Sequence, residues 1–306
     1  MSSAELRALS ADQLTRLRET RAGDPGAVAS ALAVRRRRPL LQGDRRLLLV
    51  AADHPARHAL GVGADPMAMA DRNQLLDRLA VALSRPGVDG VLGTPDIIDD
   101  LALLGLLDDA VVVGSMNRGG LRGAAFEMDD RFTAYDVDAI RRDGLDVAKT
   151  LVRVNLSDPG TVATLEANAR AVGAAAAARL PILLEPFMSR WQDGRIVNDL
   201  TPDAVIASAA VASGLGSTSA WTWLKLPVVD EMERVMAGTT LPTLLLGGDP
   251  AQEPDVTFAS WQKALTLPGV RGLVVGRTLL YPGDGDVAGA VDIAAAMVHP
   301  TLVPAS

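Results

Sequence analysis

Lys225 stands in the middle of "TWLKLPVV" (residues 222–229), an otherwise apolar run with the length and composition of a β-strand. A lysine is almost never fully buried without a partner, and dry surroundings disfavour its ammonium form enough to lower its pKa by units. A lysine amine that is neutral near pH 7 attacks carbonyl carbon, and the iminium it forms draws electrons from the neighbouring bond. The chemistry suggested is Schiff-base formation, followed by the breaking or making of a carbon–carbon bond. Two residues would assist. Lys149, in "DVAKTLVRVN" (146–155), is a second cation that would depress the Lys225 pKa further. Glu185, late in "PILLEPF" (181–187), would move protons, its own pKa raised by burial. The same residues also fit a structural salt bridge, with Lys149 paired to Asp53 or Glu185.

Elements that would bring these side chains together can be read from the apolar runs. Eight of them have strand character: 46–52, 87–94, 110–116, 145–155, 181–187, 220–228, 242–248 and 270–277. Most gaps hold a helix-length stretch, such as 66–85, 158–179 with Pro159 near its start, and 229–238 with Gly238 as a stop. Strand then helix, repeated eight times with near-continuous apolar strands, predicts a (β/α)₈ barrel over residues 44–306. A doubly wound open sheet is the rival, but no G-x-G-x-x-G follows the first strand; "DHPARHALG" stands there. Residues 1–43 read as a helical N-terminal extension, with Ser10 as the N-cap of a helix from Ala11 to Arg21 and "GDPG" (23–26) as a break. The "RRRR" at 35–38 reads as a solvated helix end among acidic neighbours.

In such a barrel chemistry lies at the C-terminal strand ends, which here carry Asp53 and His54, then Lys149, Arg153 and Asn155, then Glu185, Lys225, Gly247-Gly248-Asp249 and Gly276-Arg277. Trp221, Trp223 and Lys225 share one strand face, so the indoles are expected to keep the amine dry. Gly247, Gly248, Gly276 and Arg277 fit a phosphate cradle, although Gly247-Gly248 also fits a plain tight turn. His54 and His58 have H-x₃-H spacing, which with Asp53 frames a metal-dependent lyase as an alternative; Pro55 between them and the distant His299 weaken it. A barrel that only binds a sugar phosphate is a third reading. Neither of the favoured chemistries asks for a cofactor.

The chain of 306 residues has 30 basic and 37 acidic side chains, a net charge of −7, which argues against nucleic-acid or anionic-membrane partners and for a small molecule. Its hydrophobic content of 48% supports a compact core. With no cysteine there are no disulfides or thiolate sites, and no run of ~18 uncharged apolar residues or export signal appears, so a cytoplasmic location is expected.

From Arg46 to Tyr281 the chain resembles the class I aldolases related to deoxyribose-phosphate, fructose-bisphosphate and especially tagatose-bisphosphate aldolase. The resemblance is carried by "AADH" (51–54), "DVAKTLVRVNLSDP" (146–159), "LPILLEPF" (180–187), "WLKLPV" (223–228) and "LVVGR" (273–277). It implies Lys225 as the Schiff-base lysine, Glu185 as the proton-transfer carboxylate, and Lys149 and Asp53 as its companions. It also implies a phosphorylated keto-sugar substrate, no metal, and a homo-oligomer. The chain departs from tagatose-bisphosphate aldolases in having Arg153 and Asn155 in place of a tyrosine-rich strand end, and His54-Pro55 in place of a Gln-Arg-Gly type turn. It further resembles an actinobacterial barrel family associated with inositol breakdown. That likeness suggests 5-dehydro-2-deoxygluconate 6-phosphate, with Arg153 meeting its carboxylate.

Overall fold

A computed structural model describes residues 8–117, 119–247 and 254–300. Among them nine strands form one sheet: β1 (Leu47–Ala51), β2 (Gly90–Gly93), β3 (Val111–Ser115), β4 (Val147–Val154), β5 (Ile182–Gln192), β6 (Arg195–Asn198), β7 (Thr222–Pro227), β8 (Thr243–Leu246) and β9 (Val270–Val275). The strands run in the order β4-β3-β2-β1-β9-β8-β7-β5, and the parallel β4–β5 pairing closes the ring; β6 only adds an antiparallel hairpin to the far end of β5. All eight expected strands are present, and the rival open sheet is excluded by closure.

The helices are α1 (Ala11–Gly23), α2 (Gly26–Val34), α3 (Arg72–Leu83), α4 (Pro95–Leu103), α5 (Val137–Arg142), α6 (Gly160–Ala178), α7 (Pro202–Ser213), α8 (Met232–Ala237), α9 (Pro254–Ala264), α10 (Arg277–Leu280) and α11 (Val287–Val298). None of the described helices is long and apolar enough to cross a membrane. Their starts are chemical: Ser10 caps α1 in a reciprocal box with Gln13, and Asp71 accepts from the amides of Asn73 and Gln74 at the head of α3. Helix α3 therefore begins at Arg72 rather than at residue 66.

Alternation along the strands sorts the apolar side chains into two cores. Outward residues such as Leu48, Val50, Val112, Ile182, Leu224 and Leu273 pack under the helices. Leu47, Leu49, Ala51, Val113, Val147, Leu183, Leu244 and Val274 belong to the cluster that fills the barrel, and Leu40, Leu41 and Trp223 pack against it from the N-terminal strand ends. The N-terminal helices join the outer core through Leu17 and Leu32.

Of the four arginines at 35–38, Arg36 and Arg37 are exposed, as expected of a solvated helix end, whereas Arg35 is buried and Arg38 half-buried. They follow α2 and grip acids at the strand starts: Arg35 and Arg37 hold Asp146, Arg36 holds Asp108 and Asp109, and Arg38 holds Asp89. Arg35 is buried, donating also to the carbonyls of Ala110 and Gly144. Asp89 further accepts from the Leu48 amide at 2.7 Å and from His299 Nε2 at 3.0 Å, while His299 Nδ1 meets Asp44 at 2.7 Å.

Burial disfavours charge on His299, but its two carboxylate neighbours outweigh this and raise its pKa. The unfolded imidazole titrates near 6.5, so the stabilisation is complete below that pH and fades as pH rises through the higher folded pKa. His299→Asn is expected to cost about 2 kcal/mol at pH 6 and much less at pH 9. Thermal melts at both pH values check this, and an equal loss at both would refute the titration.

Candidate active site

Four of the polar residues foreseen at the strand ends continue the inward faces of the strands, and Ser115, not foreseen, joins them. Asp53 follows Ala51 by two residues, Ser115 follows Val113, Lys149 follows Val147, Glu185 follows Leu183 and Lys225 follows Trp223. Each precursor belongs to the barrel-filling cluster or packs on it, so the strand period of two places the five polar residues inward in the next layer toward the C-terminal ends.

There they form one chain of charges. Lys149 Nζ lies 2.8 Å from Asp53 Oδ2 and 2.6 Å from Glu185 Oε2, and Glu185 Oε1 lies 3.1 Å from Lys225 Nζ. Ser115 Oγ donates to Asp53 at 3.3 Å. Lys149 is only 1% exposed and Lys225 4%, so both amines are withdrawn from water yet not isolated.

The two lysines diverge electrostatically. Burial weighs most on each, favouring the neutral amine. For Lys149 two flanking carboxylates outweigh burial and its pKa is raised, so it remains an ammonium. Lys225 has one carboxylate at hydrogen-bond distance and the Lys149 charge nearby, so burial prevails and its pKa is lowered. Asp53 is held below the ordinary carboxylate range, because Lys149 overcomes the effect of burial.

Glu185 corrects an expectation. Burial pushes its pKa up, but Lys149 and Lys225 together bring it down to about 2. It is a carboxylate at neutral pH and takes protons before it gives them. Of the two indoles, only Trp223 shares the inward face with Lys225 as expected. Trp221 precedes β7 and lies outside the barrel-filling cluster, and Trp223 packs one layer below Lys225. The amine is dried mainly by the barrel interior.

A cavity of about 550 Å³ opens above Lys225. Glu185 and Lys225 form part of its floor, with His54, Arg57, Arg122, Phe187 and Arg277 around it and Ile196, Val197 and Asn198 of the hairpin along one wall. A neighbouring hollow of about 590 Å³ is lined by Ala56, Leu121, Phe126 and Phe132 and contains none of the charged chain. Gly247 and Gly276 both border the first cavity. A Cβ on Gly276 would stand 2.5 Å from the Ala51 carbonyl oxygen and 2.8 Å from His54, so only glycine allows this approach. Arg277 donates to the Gly61 carbonyl at 3.3 Å. Gly248 and Asp249 lie outside the described residues.

Two expected substrate contacts are occupied otherwise. Arg153 donates to both oxygens of Asp130 (2.8 and 2.9 Å), to Glu127 Oε1 at 2.9 Å and to the carbonyls of Gly120 and Glu127. This guanidinium fastens the loop between β3 and α5 rather than awaiting a carboxylate. Asn155 shapes the turn into α6: its side chain accepts from the Ser157 amide, and its backbone is bracketed by the Thr161 hydroxyl.

The histidines do not converge as metal ligands. His58 Nδ1 faces the Arg122 carbonyl at 3.0 Å, Asp53 is engaged by Lys149, and His299 is at the opposite end of the barrel. Among the described residues no three His, Asp or Glu side chains gather as a metal site. His54 Nδ1 is buried without a hydrogen-bond partner, 3.8 Å from Asp53 Oδ1, and burial brings its pKa down to about 3 despite Asp53, leaving the ring neutral.

Sequence reasoning missed the β5–β6 hairpin, although Asp193-Gly194 signals it: both residues have positive φ (50° and 71°), as a two-residue hairpin turn with strand twist requires. It also passed over Arg57 and Arg122, which lie on connections that carry no periodic pattern.

Comparison with known proteins agrees with this architecture. The chain is 18% identical to an archaeal fructose-1,6-bisphosphate aldolase whose structure has the catalytic Lys covalently bound to the carbinolamine intermediate of the substrate; 89% of this chain and 99% of that one align, with a TM-score of 0.61. The fructose-bisphosphate aldolase from Slackia heliotrinireducens is 17% identical over 100% of this chain and 98% of that one, at a TM-score of 0.56. At such identities the likeness shows the shared barrel. No curated protein matches the chain. Cgl0159 from Corynebacterium glutamicum (Brevibacterium flavum) is 66% identical over 96% of this chain and 99% of its own, at a TM-score of 0.94. The Cgl0159-like family model matches residues 45–295, the whole barrel from the threshold of β1 into α11, and the chain belongs to that family.

Proposed function

We propose that this barrel is a class I aldolase that cleaves or forms a carbon–carbon bond in a phosphorylated keto-sugar or keto-sugar acid. The observation that carries the reading is the Lys225 amine, which faces the cavity with a lowered pKa, 3.1 Å from a carboxylate held ionised by a second lysine. As the Lys225 nitrogen bonds to the substrate carbonyl carbon, the carbonyl oxygen takes up a proton from solvent and Glu185 Oε1 takes the proton the nitrogen sheds. It returns that proton to the carbinolamine hydroxyl, which leaves as water. The resulting iminium accepts the electron pair of the bond between the next two carbons as Glu185 takes the proton of the hydroxyl on the departing carbon, which leaves as an aldehyde. Lys149 keeps Glu185 in its basic form and in place. Asp53 orients Lys149. Gly247, Gly276 and Arg277 receive the phosphate, whose oxygens accept backbone amide and guanidinium hydrogens. The archaeal aldolase bound through its catalytic Lys lends support by analogy of fold.

Borohydride reduction in the presence of fructose 1,6-bisphosphate, tagatose 1,6-bisphosphate or 5-dehydro-2-deoxygluconate 6-phosphate is expected to add the mass of one reduced ketose to the peptide that contains Lys225. If none of the three leaves an adduct there, and each binds without turnover, the protein is a sugar-phosphate-binding barrel instead.

A further inference from the structure

Among the described residues, the charges around the cavity do not balance. Lys149 and Lys225 are matched by Asp53 and Glu185, and Arg153 is matched by Glu127 and Asp130. Arg57 and Arg122 also line the cavity, and among the described residues neither side chain has a hydrogen-bond or ion-pair partner. The two are held side by side through their backbones, because the Arg122 amide donates to the Arg57 carbonyl at 2.9 Å. His58, from the same turn as Arg57, reaches the Arg122 carbonyl and fastens the contact again. Among its described residues, a chain with a net charge of −7 thus keeps two uncompensated guanidinium groups at the mouth of its cavity.

They come from other connections than the phosphate cradle does, those after β1 and β3 rather than those after β8 and β9. Arg57 belongs to the turn after β1 and its charge is felt by Lys149 on β4, whereas Arg277 follows β9 on the other flank of β1. Guanidinium groups pair best with planar or tetrahedral oxyanions through two parallel hydrogen bonds. We propose that Arg57 and Arg122 form a second anion subsite, so that the substrate carries a negative group at each end: phosphate toward Gly247, Gly276 and Arg277, and a carboxylate or second phosphate toward Arg57 and Arg122. This rests on the aldolase reading for the placing of the first phosphate, and it moves recognition of the second anion from Arg153 to residues whose donors are available.

Binding without turnover tests the subsite. Calorimetry on the intact protein compares fructose 6-phosphate with fructose 1,6-bisphosphate and with 6-phosphogluconate, which carry a second phosphate and a carboxylate respectively. The wild type is expected to favour at least one doubly charged ligand by about ten- to a hundredfold. In Arg57→Gln and Arg122→Gln that preference should shrink toward unity, and Arg57→Lys should restore part of it. Which ligand loses its advantage identifies the second anion. A wild type indifferent to the second charge, or a preference unchanged in both glutamine variants, overturns the subsite. Borohydride trapping on the wild type keeps the two readings apart: an adduct on Lys225 without charge preference spares the aldolase and removes the subsite, and preference without an adduct does the reverse.

Discussion

Lys225→Met is expected to lower turnover on the order of 10⁴-fold or more and to abolish borohydride trapping, while the protein remains folded. An ordinary lysine at pH 7.4 has its amine free in roughly one molecule per thousand, since its pKa is about 10.4. Burial enlarges that fraction for Lys225, and the ammonium of Lys149 adds to the effect. Methionine keeps the length and apolar stem and removes only the nucleophile, so the barrel layer beneath should still pack. Such a rate loss corresponds to about 5 kcal/mol of barrier. Measured kcat for any ketose that turns over, with mass spectrometry of the trapped enzyme, decides the matter; a variant that retains trapping would place the Schiff base elsewhere, with Lys149 the residue to examine next.

Glu185→Gln should have the second largest effect, and its signature lies in pH. The Glu185 charge raises the Lys225 pKa, so replacing it with an amide lets the amine lose its proton at still lower pH. The rate should fall by about 10²–10⁴-fold, because no carboxylate remains within reach of the amine to take its proton, while the acid limb of the pH–rate profile moves to lower pH. Stability responds in the same sense. In the variant Lys225 has a folded pKa further below its unfolded value. The loss of stability is therefore largest below the folded pKa and is relieved as pH rises toward the unfolded pKa. Denaturant unfolding between pH 5 and 9 reads this directly. An acid limb that does not move would separate Glu185 from the amine in function.

Much of this site could be read before the fold was known, for a geometric reason. The strands are covered on both faces and appear as apolar runs, and a polar side chain late in such a run has only the barrel mouth to enter. Asp53, Lys149, Glu185 and Lys225 are all of this kind. The sense of the Glu185 shift was not readable, because it depends on Lys149 and Lys225 reaching the carboxylate from strands on either side. Arg153 was misread because its partners lie 23 and 26 residues earlier, in a loop without periodicity. The arginines at 35–38 likewise answer to acids scattered from Asp89 to Asp146. Spacing along the chain reveals partners on one element; it says little about partners brought together by closure.

Closure also governs how the chain reaches this state. Asp44 and His299 are 255 residues apart, and β1 can complete its pairing only when β9 is made. At ordinary ribosomal speeds of about 5–20 residues per second, β1 waits roughly 11–45 s after emerging before its second neighbour exists. During that interval one edge of an apolar strand is open to any other chain that offers a partner. The Asp44–His299 pair then acts as a clasp, and its imidazole is synthesised 255 residues after the carboxylate it meets.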